Sequence, residues 1–276
     1  MIRACVIGWP IRQSRSPLIH GYWIKRHGLS GSYDKLEVAP DGLQAFVSRI
    51  GPDFAGCNVT VPHKEEVMEW LDGVDDTARA IGAVNTIWHE DGRRFGTNTD
   101  ITGFLANLDQ LAPGWDAAPL NAIVLGAGGA ARAVVYGLTQ RRAAKIAIVN
   151  RSLDRAEELA RTFGANASAH TYAELPELFG DATLVVNATS LGMIGKPGLD
   201  ITLDGLNPAA VVNDLVYVPL KTKLLEDAER RGNRTVDGLG MLLHQAVPAF
   251  ARWFGVTPEV TPELRALIEA DIKSGA

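Results

Sequence analysis

The stretch IVLGAGGAARAVVYGL, residues 123–138, limits the possible folds of this chain more than any other. An apolar run stops at a glycine, and helical spacing begins a few residues later. Gly126, Gly128 and Ala131 match G-x-G-x-x-G/A, the turn that joins a strand to a helix in dinucleotide-binding units. Gly126 allows the tight turn, Gly128 leaves room for a pyrophosphate, and Ala131 permits close packing of helix on strand. With Ala127, Gly129 and Ala130 they open a helix whose free N–H groups and positive dipole end suit phosphate.

The surrounding rhythm agrees. NAIVLG, a helix, KIAIVN and a second helix are followed by LVVNAT, VVNDLVY and TVDG. Continuous apolar strands of this kind belong to a parallel sheet covered on both faces. They predict a nucleotide-binding domain at about 119–237, after a connecting helix over 101–113 and a polar, proline-bearing boundary, WDAAPL, at 115–120. KIAIVN (145–150) bears on the choice of coenzyme. An NAD-preferring site ends this strand with an acidic residue, whereas here stand Asn150, Arg151 and Ser152, with Arg155 a turn later. Two guanidinium groups and a hydroxyl suit a 2′-phosphate, so NADP is expected. The alternative for the arginines is solvated surface. In LVVNATSLGM (184–193), Asn187, Thr189 and Ser190 either cap a turn or meet the ribose or nicotinamide.

The first half also alternates strands and helices, which predicts an α/β layer. Strands are expected at 4–8, 33–38 and 55–61, and helices at 16–29, 41–50, 65–72 and 74–80. Residues 83–98 read as a hairpin turning at Asp91-Gly92. The segments 242–255 and 261–272 are helical in pattern, and covering the first domain would account for them. A net charge of −5, with no basic run, gives nucleic acid or an anionic membrane little to bind. No apolar run approaches about 18 residues, and MIRACVIGWP reads as a strand and turn rather than a signal peptide. Cys5 and Cys57, both in apolar runs, are expected as buried thiols in a reducing cytoplasm.

Hydride exchange with a ketone–alcohol pair needs an acid–base group at the oxygen and a donor to stabilise its charge. Lys64, after NVTVP, and Asp100, ending GTNTD, are the candidates. For Asp100 the alternative is a helix cap or first-turn acid. Ser14, Ser16, Asn58, Thr60, Asn85 and Thr86 form an inventory for gripping a substrate with several hydroxyls. The serines also suit a cap before Pro17. His20 and His63 have no ligand constellation, so no metal is expected.

These residues, in this order, resemble shikimate dehydrogenases. The pieces are SRSPLIH (14–20), NVTVPHK (58–64), GAVNT (82–86), NTD (98–100), GAGGAAR (126–132), NRS (150–152), NATSLGM (187–193), VYVPLKTKLL (216–225) and DGLGMLLHQAVPAF (237–250), and they span nearly the whole chain. The resemblance implies reversible NADPH-dependent reduction of 3-dehydroshikimate to shikimate, in chorismate and aromatic amino-acid biosynthesis. It implies a substrate-binding catalytic α/β domain at 1–105, completed by helices at 239–276, and a Rossmann-type NADP-binding domain at 106–238, separated by a cleft. By the same resemblance Lys64 and Asp100 form the catalytic pair, and Ser14 and Ser16 hold the substrate carboxylate. Thr60, Asn85 and Asp100 face ring hydroxyls, and Gln245 and Tyr217 lie near the substrate. Thr189, Leu215 and Gly238 lie at the coenzyme. Two positions depart from the family: Gln13 where histidine is common, and Gly21 where asparagine is common. Monomer and homodimer both remain open. The competing readings are a quinate/shikimate dehydrogenase using NAD and a non-catalytic ligand sensor, which would need hydroxyl recognition but no Lys64–Asp100 pair.

Overall fold

The computed structural model describes residues 1–117 and 119–275; Ala118, within the expected boundary at 115–120, and Ala276, within the expected C-terminal segment, lie outside the described residues. The chain divides into two compact units, Met1–Asp100 with Leu243–Lys273, and Ile101–Leu242 with the chain end from Ser274.

In the first unit β1 (Ile2–Gly8), α1 (Ser16–Arg26), β2 (Gly31–Glu37), α2 (Leu43–Val47), β3 (Gly56–Val59), β4 (Gly73–Val74), α3 (Asp76–Ile81), β5 (Thr86–Glu90) and β6 (Arg93–Thr97) lead to α4 (Asp100–Leu111). The strands form one sheet in the order β2-β1-β3-β5-β6-β4. β1 is parallel to β2 and β3, and β5 is antiparallel to β3 and β6. The expected hairpin is β5–β6. Asp91 (φ 49°) and Gly92 (φ 76°) both adopt left-handed backbone, as a type I′ turn requires. Cys5 and Ile7 join Cys57, Val59 and Ile87 in a core with Leu43, Phe46 and Val47 of α2. Both thiols are free and buried, as expected.

The second unit runs β7 (Asn121–Leu125), α5 (Gly129–Gln140), β8 (Lys145–Val149), α6 (Leu153–Phe163), β9 (Ala167–His170), α7 (Leu175–Phe179), β10 (Leu184–Asn187), β11 (Val211–Asp214), α8 (Lys223–Arg230) and β12 (Arg234–Val236). All its ladders are parallel, in the order β12-β11-β10-β7-β8-β9. Successive side chains go to opposite faces. Val124, Ile146, Ile148, Leu184 and Val186 enter one core, whereas Ile123, Leu125, Ala147, Val149 and Val185 enter another. Burial on both faces is why these strands read as unbroken apolar runs. The order reverses between β7 and β10, which makes their carboxyl ends the switch point where ligands bind in open α/β sheets.

Several expected elements are altered. The helix expected at 65–72 is a 3-10 turn, Glu66–Trp70, that buries only Val67. The helix expected at 41–50 shrinks to α2, and the strand expected at 55–61 stops at Val59. β4, β9, α7 and α8 were not expected. β4 has only two residues, too few for an alternating pattern, and β9 reads ASAH, with no β-branched residue to mark a strand.

The chain ends in α9 (Leu239–Phe254) and α10 (Pro262–Ser274). Trp253 of α9 donates its indole N–H to the Ile87 carbonyl at 3.0 Å. A Cβ at Gly56 would lie 1.9 Å from that indole nitrogen, so glycine there is what admits the helix. Beside it His20 stacks on Tyr33, with ring centroids 3.9 Å apart and planes at 1°, amid Trp23, Phe250 and Trp253.

Burial lowers the pKa of His20 from 6.5 to about 3. The unfolded chain therefore binds the extra proton first as pH falls below 6.5, and stability drops until the folded value is reached. This one group should remove about 2 kcal/mol of stability between pH 7 and pH 5. Denaturant titrations at both pH values should show His20→Phe losing less by about that amount; equal losses in the two proteins would contradict this origin.

Candidate active site

Lys64 is placed by the turn that leaves β3. The His63 N–H donates to the Thr60 carbonyl at 3.1 Å, and the Val84 N–H donates to the Lys64 carbonyl at 2.7 Å. With the backbone so fixed, Lys64 Nζ donates to Asp100 Oδ2 at 2.6 Å. The two side chains are 28% and 17% exposed, sheltered enough to attract strongly and open enough for a ligand to reach.

Asp100 opens α4, yet both its oxygens are engaged by side chains. Oδ1 accepts from Asn85 Nδ2 at 2.8 Å. The start of the helix is satisfied separately, because the Asp100 N–H donates to Asn98 Oδ1 at 3.0 Å. Asn85 has no freedom to flip. Its Oδ1 accepts the Thr99 N–H at 2.9 Å and the Thr86 hydroxyl at 3.0 Å, which turns its amide N–H toward the carboxylate. Thr86 in turn accepts from Asn58 Nδ2 at 3.0 Å.

Ser14 and Ser16 frame the start of α1. The N-cap position is Arg15, and no side chain caps it there; Ser14 Oγ accepts the Ser16 N–H only at 3.4 Å. The cap reading of the serines is therefore weak. Arg15 Nε is clamped by Asp271 Oδ2 of α10 at 2.7 Å, with both side chains largely covered. Thr60 is half-buried beside Gly8, where an added Cβ would lie 2.6 Å from the Thr60 methyl. Gln245 stands on α9, its Oε1 3.4 Å from the Thr99 hydroxyl. The structure thus brings Lys64, Asn85 and Asp100 into direct contact, with Gln245 joined through Thr99, and sets Ser14, Ser16 and Thr60 at the ends of neighbouring elements of the same unit.

The remaining site residues belong to the second unit. Gly126 has φ +108°, and a Cβ on it would lie 2.9 Å from the Thr189 methyl carbon. Gly128 and Gly129 are exposed, and a Cβ on either would meet nothing within 4 Å. Gly126 is thus glycine for the protein's own geometry, whereas Gly128 and Gly129 keep open space over the N-terminus of α5. That cradle, with Ala127 and Ala130, fits a dinucleotide pyrophosphate. Asn150 closes its own turn, with Nδ2 donating to the Ser152 carbonyl at 2.9 Å. Arg151, Ser152 and Arg155 are exposed at the start of α6. Thr189 caps its turn, donating its hydroxyl to Asn187 Oδ1 at 2.7 Å. Leu215 donates its N–H to the Asn187 carbonyl at 3.0 Å. Gly238 presses on Leu215 so closely that a Cβ would lie 2.1 Å from the Leu215 carbonyl oxygen. Tyr217 is half-buried in the loop after β11.

One residue here escaped the sequence reading. Asp214 is fully buried and accepts from Asn187 Nδ2 (2.9 Å), the Val216 N–H (3.0 Å) and the Thr222 hydroxyl (2.6 Å). Burial raises its pKa while these donors oppose the shift. It ties the loops after β10 and β11 to the first turn of α8, and its signal was a carboxylate inside the apolar run VVNDLVY. Among the described residues no group of three or more His, Cys, Asp or Glu is placed to hold a metal ion, and no helix is long and apolar enough to cross a membrane.

A Rossmann-type sheet with a pyrophosphate cradle, together with an α/β unit carrying a sheltered lysine–carboxylate pair, defines an NAD(P)-binding oxidoreductase. Residues 6–87 match the shikimate dehydrogenase substrate binding domain, 111–194 the shikimate / quinate 5-dehydrogenase model, and 238–267 the shikimate 5′-dehydrogenase C-terminal domain. A shikimate dehydrogenase (NADP(+)) of Azorhizobium caulinodans is 55% identical over 273 residues, which cover 99% of this chain and 97% of that protein. The chain belongs to the shikimate dehydrogenase family. Among solved structures, shikimate 5-dehydrogenase of Thermus thermophilus in complex with NADP(H) and shikimate is 34% identical with a TM-score of 0.85, covering 100% of each chain. Quinate dehydrogenase of Corynebacterium glutamicum in complex with NAD is 30% identical with a TM-score of 0.89, covering 98% of this chain and 99% of its own.

The two glycines separate folding from binding. Gly128→Ala should keep the wild-type melting temperature while weakening dinucleotide binding at least about tenfold, because its methyl occupies the reserved space. Gly126→Ala, forced into left-handed backbone, should lose about 1–3 kcal/mol of stability. Thermal melts with coenzyme titrations check both, and a Gly128→Ala protein binding normally would contradict the cradle.

Proposed function

We propose that this chain catalyses the reversible NADPH-dependent reduction of 3-dehydroshikimate to shikimate. The observation that carries the reading is the Lys64–Asp100 contact at 2.6 Å, with the second carboxylate oxygen held by Asn85. A binding protein would need hydroxyl recognition alone, whereas this arrangement pairs one ammonium with one carboxylate among uncharged hydrogen-bonding groups. Bound over the glycine turn, the reduced coenzyme supplies a hydride to the ring carbonyl carbon. Lys64 gives a proton to the carbonyl oxygen, and Asp100 keeps Nζ directed and stabilises the charge that the ammonium carries. In the oxidative direction Lys64 takes the proton back.

Ser14 and Ser16 hold the substrate carboxylate, while Thr60, Asn85 and Asp100 grip ring hydroxyls, with Gln245 and Tyr217 beside them. Missing partners for such groups are costly, so the set discriminates by hydroxyl pattern. Residues 1–105 with 239–276 form the catalytic domain, and 106–238 bind the coenzyme. NADP is preferred to NAD because no carboxylate ends β8, and Arg151 and Arg155 stand exposed where a 2′-phosphate would sit.

Initial rates for shikimate and quinate, each with NADP and NAD, test substrate and coenzyme together. The specificity constant should be highest for shikimate with NADP; a higher value for quinate with NAD would overturn the choice. In the same assay Lys64→Ala should lower kcat by about two to four orders of magnitude, with a much smaller effect on KM. Near-normal turnover would remove Lys64 from the chemistry.

A further inference from the structure

Behind the lysine–carboxylate pair lies a line of buried polar groups whose far end no functional assignment has reached. It starts at Tyr33 on β2, a buried phenol pinned under the His20 ring. The Tyr33 hydroxyl donates to Asn58 Oδ1 at 2.6 Å. Asn58 Nδ2 donates onward to Thr86 Oγ1 at 3.0 Å, and the Thr86 hydroxyl donates to Asn85 Oδ1 at 3.0 Å. Asn85 Nδ2 donates to Asp100 Oδ1 at 2.8 Å, and Asp100 Oδ2 receives Lys64 Nζ at 2.6 Å. From Tyr33 to Asp100 every bond points the same way.

We propose that Tyr33 is a positioning residue for the proton-transfer pair: its hydroxyl satisfies Asn58 Oδ1 and so holds in place the chain through Asn58, Thr86 and Asn85 that steadies the Asp100 carboxylate against Lys64. The inference rests on the reading of Lys64 and Asp100 as the acid–base pair.

The logic is one of donors and acceptors. An amide has one acceptor end and one donor end, and backbone groups fix which way both amides lie: the Asn85 carbonyl accepts from Asn58 Nδ2, and the Thr99 N–H donates to Asn85 Oδ1, so Asn58 Oδ1 is left needing a donor. Tyr33 is a suitable first donor because it stays protonated. Burial raises its pKa well above 10, and the thiols of Cys5 and Cys57 add to the shift. Tyr33 supplies that donor, while Asn58 Nδ2 donates both to Thr86 and to the Asn85 carbonyl at 3.1 Å. Thr86 then has only its proton left to give, and gives it to Asn85. Without the phenol, Asn58 Oδ1 loses its donor inside a dry core, and a shift of Asn58 toward a new partner would loosen its bond to Thr86 and, through Thr86, the hold on Asn85.

Tyr33→Phe and Thr86→Val each remove one hydroxyl of the chain and keep the shape of the side chain. Each should lower kcat about tenfold, the loss expected when a buried hydrogen-bonded group is left unpaired, while KM for shikimate stays within about twofold. Because the two act in series, the double variant should be no more than about twofold worse than either single. Thermal melts establish the folded fraction at the assay temperature. A folded Tyr33→Phe protein with wild-type kcat, or a double variant about a hundredfold down because the losses multiply, would overturn the proposal. Should Tyr33→Phe fail to fold, Thr86→Val decides alone, and an unchanged kcat there overturns it. Lys64→Ala run alongside separates the two ideas: an active Lys64→Ala enzyme sinks the acid–base reading itself, whereas an inactive one beside normal Tyr33→Phe and Thr86→Val enzymes sinks only this inference.

Discussion

A carboxylate sheltered from water has to find its partners among nearby side chains, and in this protein that demand falls on Asp100. Its two oxygens are met by Lys64 and Asn85, and its backbone N–H by Asn98. Meeting them requires three separate segments to converge: the turn after β3, the residues before β5, and the entry to α4. The first two are joined by the Val84 N–H donating to the Lys64 carbonyl at 2.7 Å, and the entry to α4 is held by the Thr99 and Asp100 N–H groups donating to Asn85 and Asn98 side chains. The sheet order, which places β3 beside β5 and β5 beside β6, is what brings those ends together.

The second unit obeys a different constraint. Its strands are covered on both faces, so side-chain identity along them is dictated by packing, and chemistry is confined to the loops beyond their carboxyl ends. Gly126 and Gly128 express the two requirements side by side: the first keeps the loop from colliding with Thr189, and the second leaves space that the protein itself does not fill. Asp214 is the exception that shows the rule, a buried charge placed where it can bind two of those loops to α8.

The sequence made some of this legible and hid the rest for physical reasons. The glycine turn, the doubly covered strands and the Asp91-Gly92 hairpin were readable because each depends on local backbone chemistry. So was the identity of Lys64 and Asp100 as candidates, since the resemblance supplied the pairing that a separation of 36 residues conceals. The 3-10 turn at Glu66–Trp70 was misread as a helix because its composition is helical while its burial is not. β9, lacking branched side chains, left no strand signal. Tyr33 was invisible as a site residue because one phenol in a strand of alternating character resembles any half-buried aromatic residue. Only the fold shows that its hydroxyl meets Asn58.

The central claim is that Lys64 and Asp100 act as one unit. A double-mutant cycle on kcat, using Lys64→Ala, Asp100→Ala and the double variant, tests it most directly. The double variant should be no slower than the slower single variant, since removing either partner already dismantles the unit. Losses that multiply across the two substitutions would show that the residues act independently, and would contradict the account.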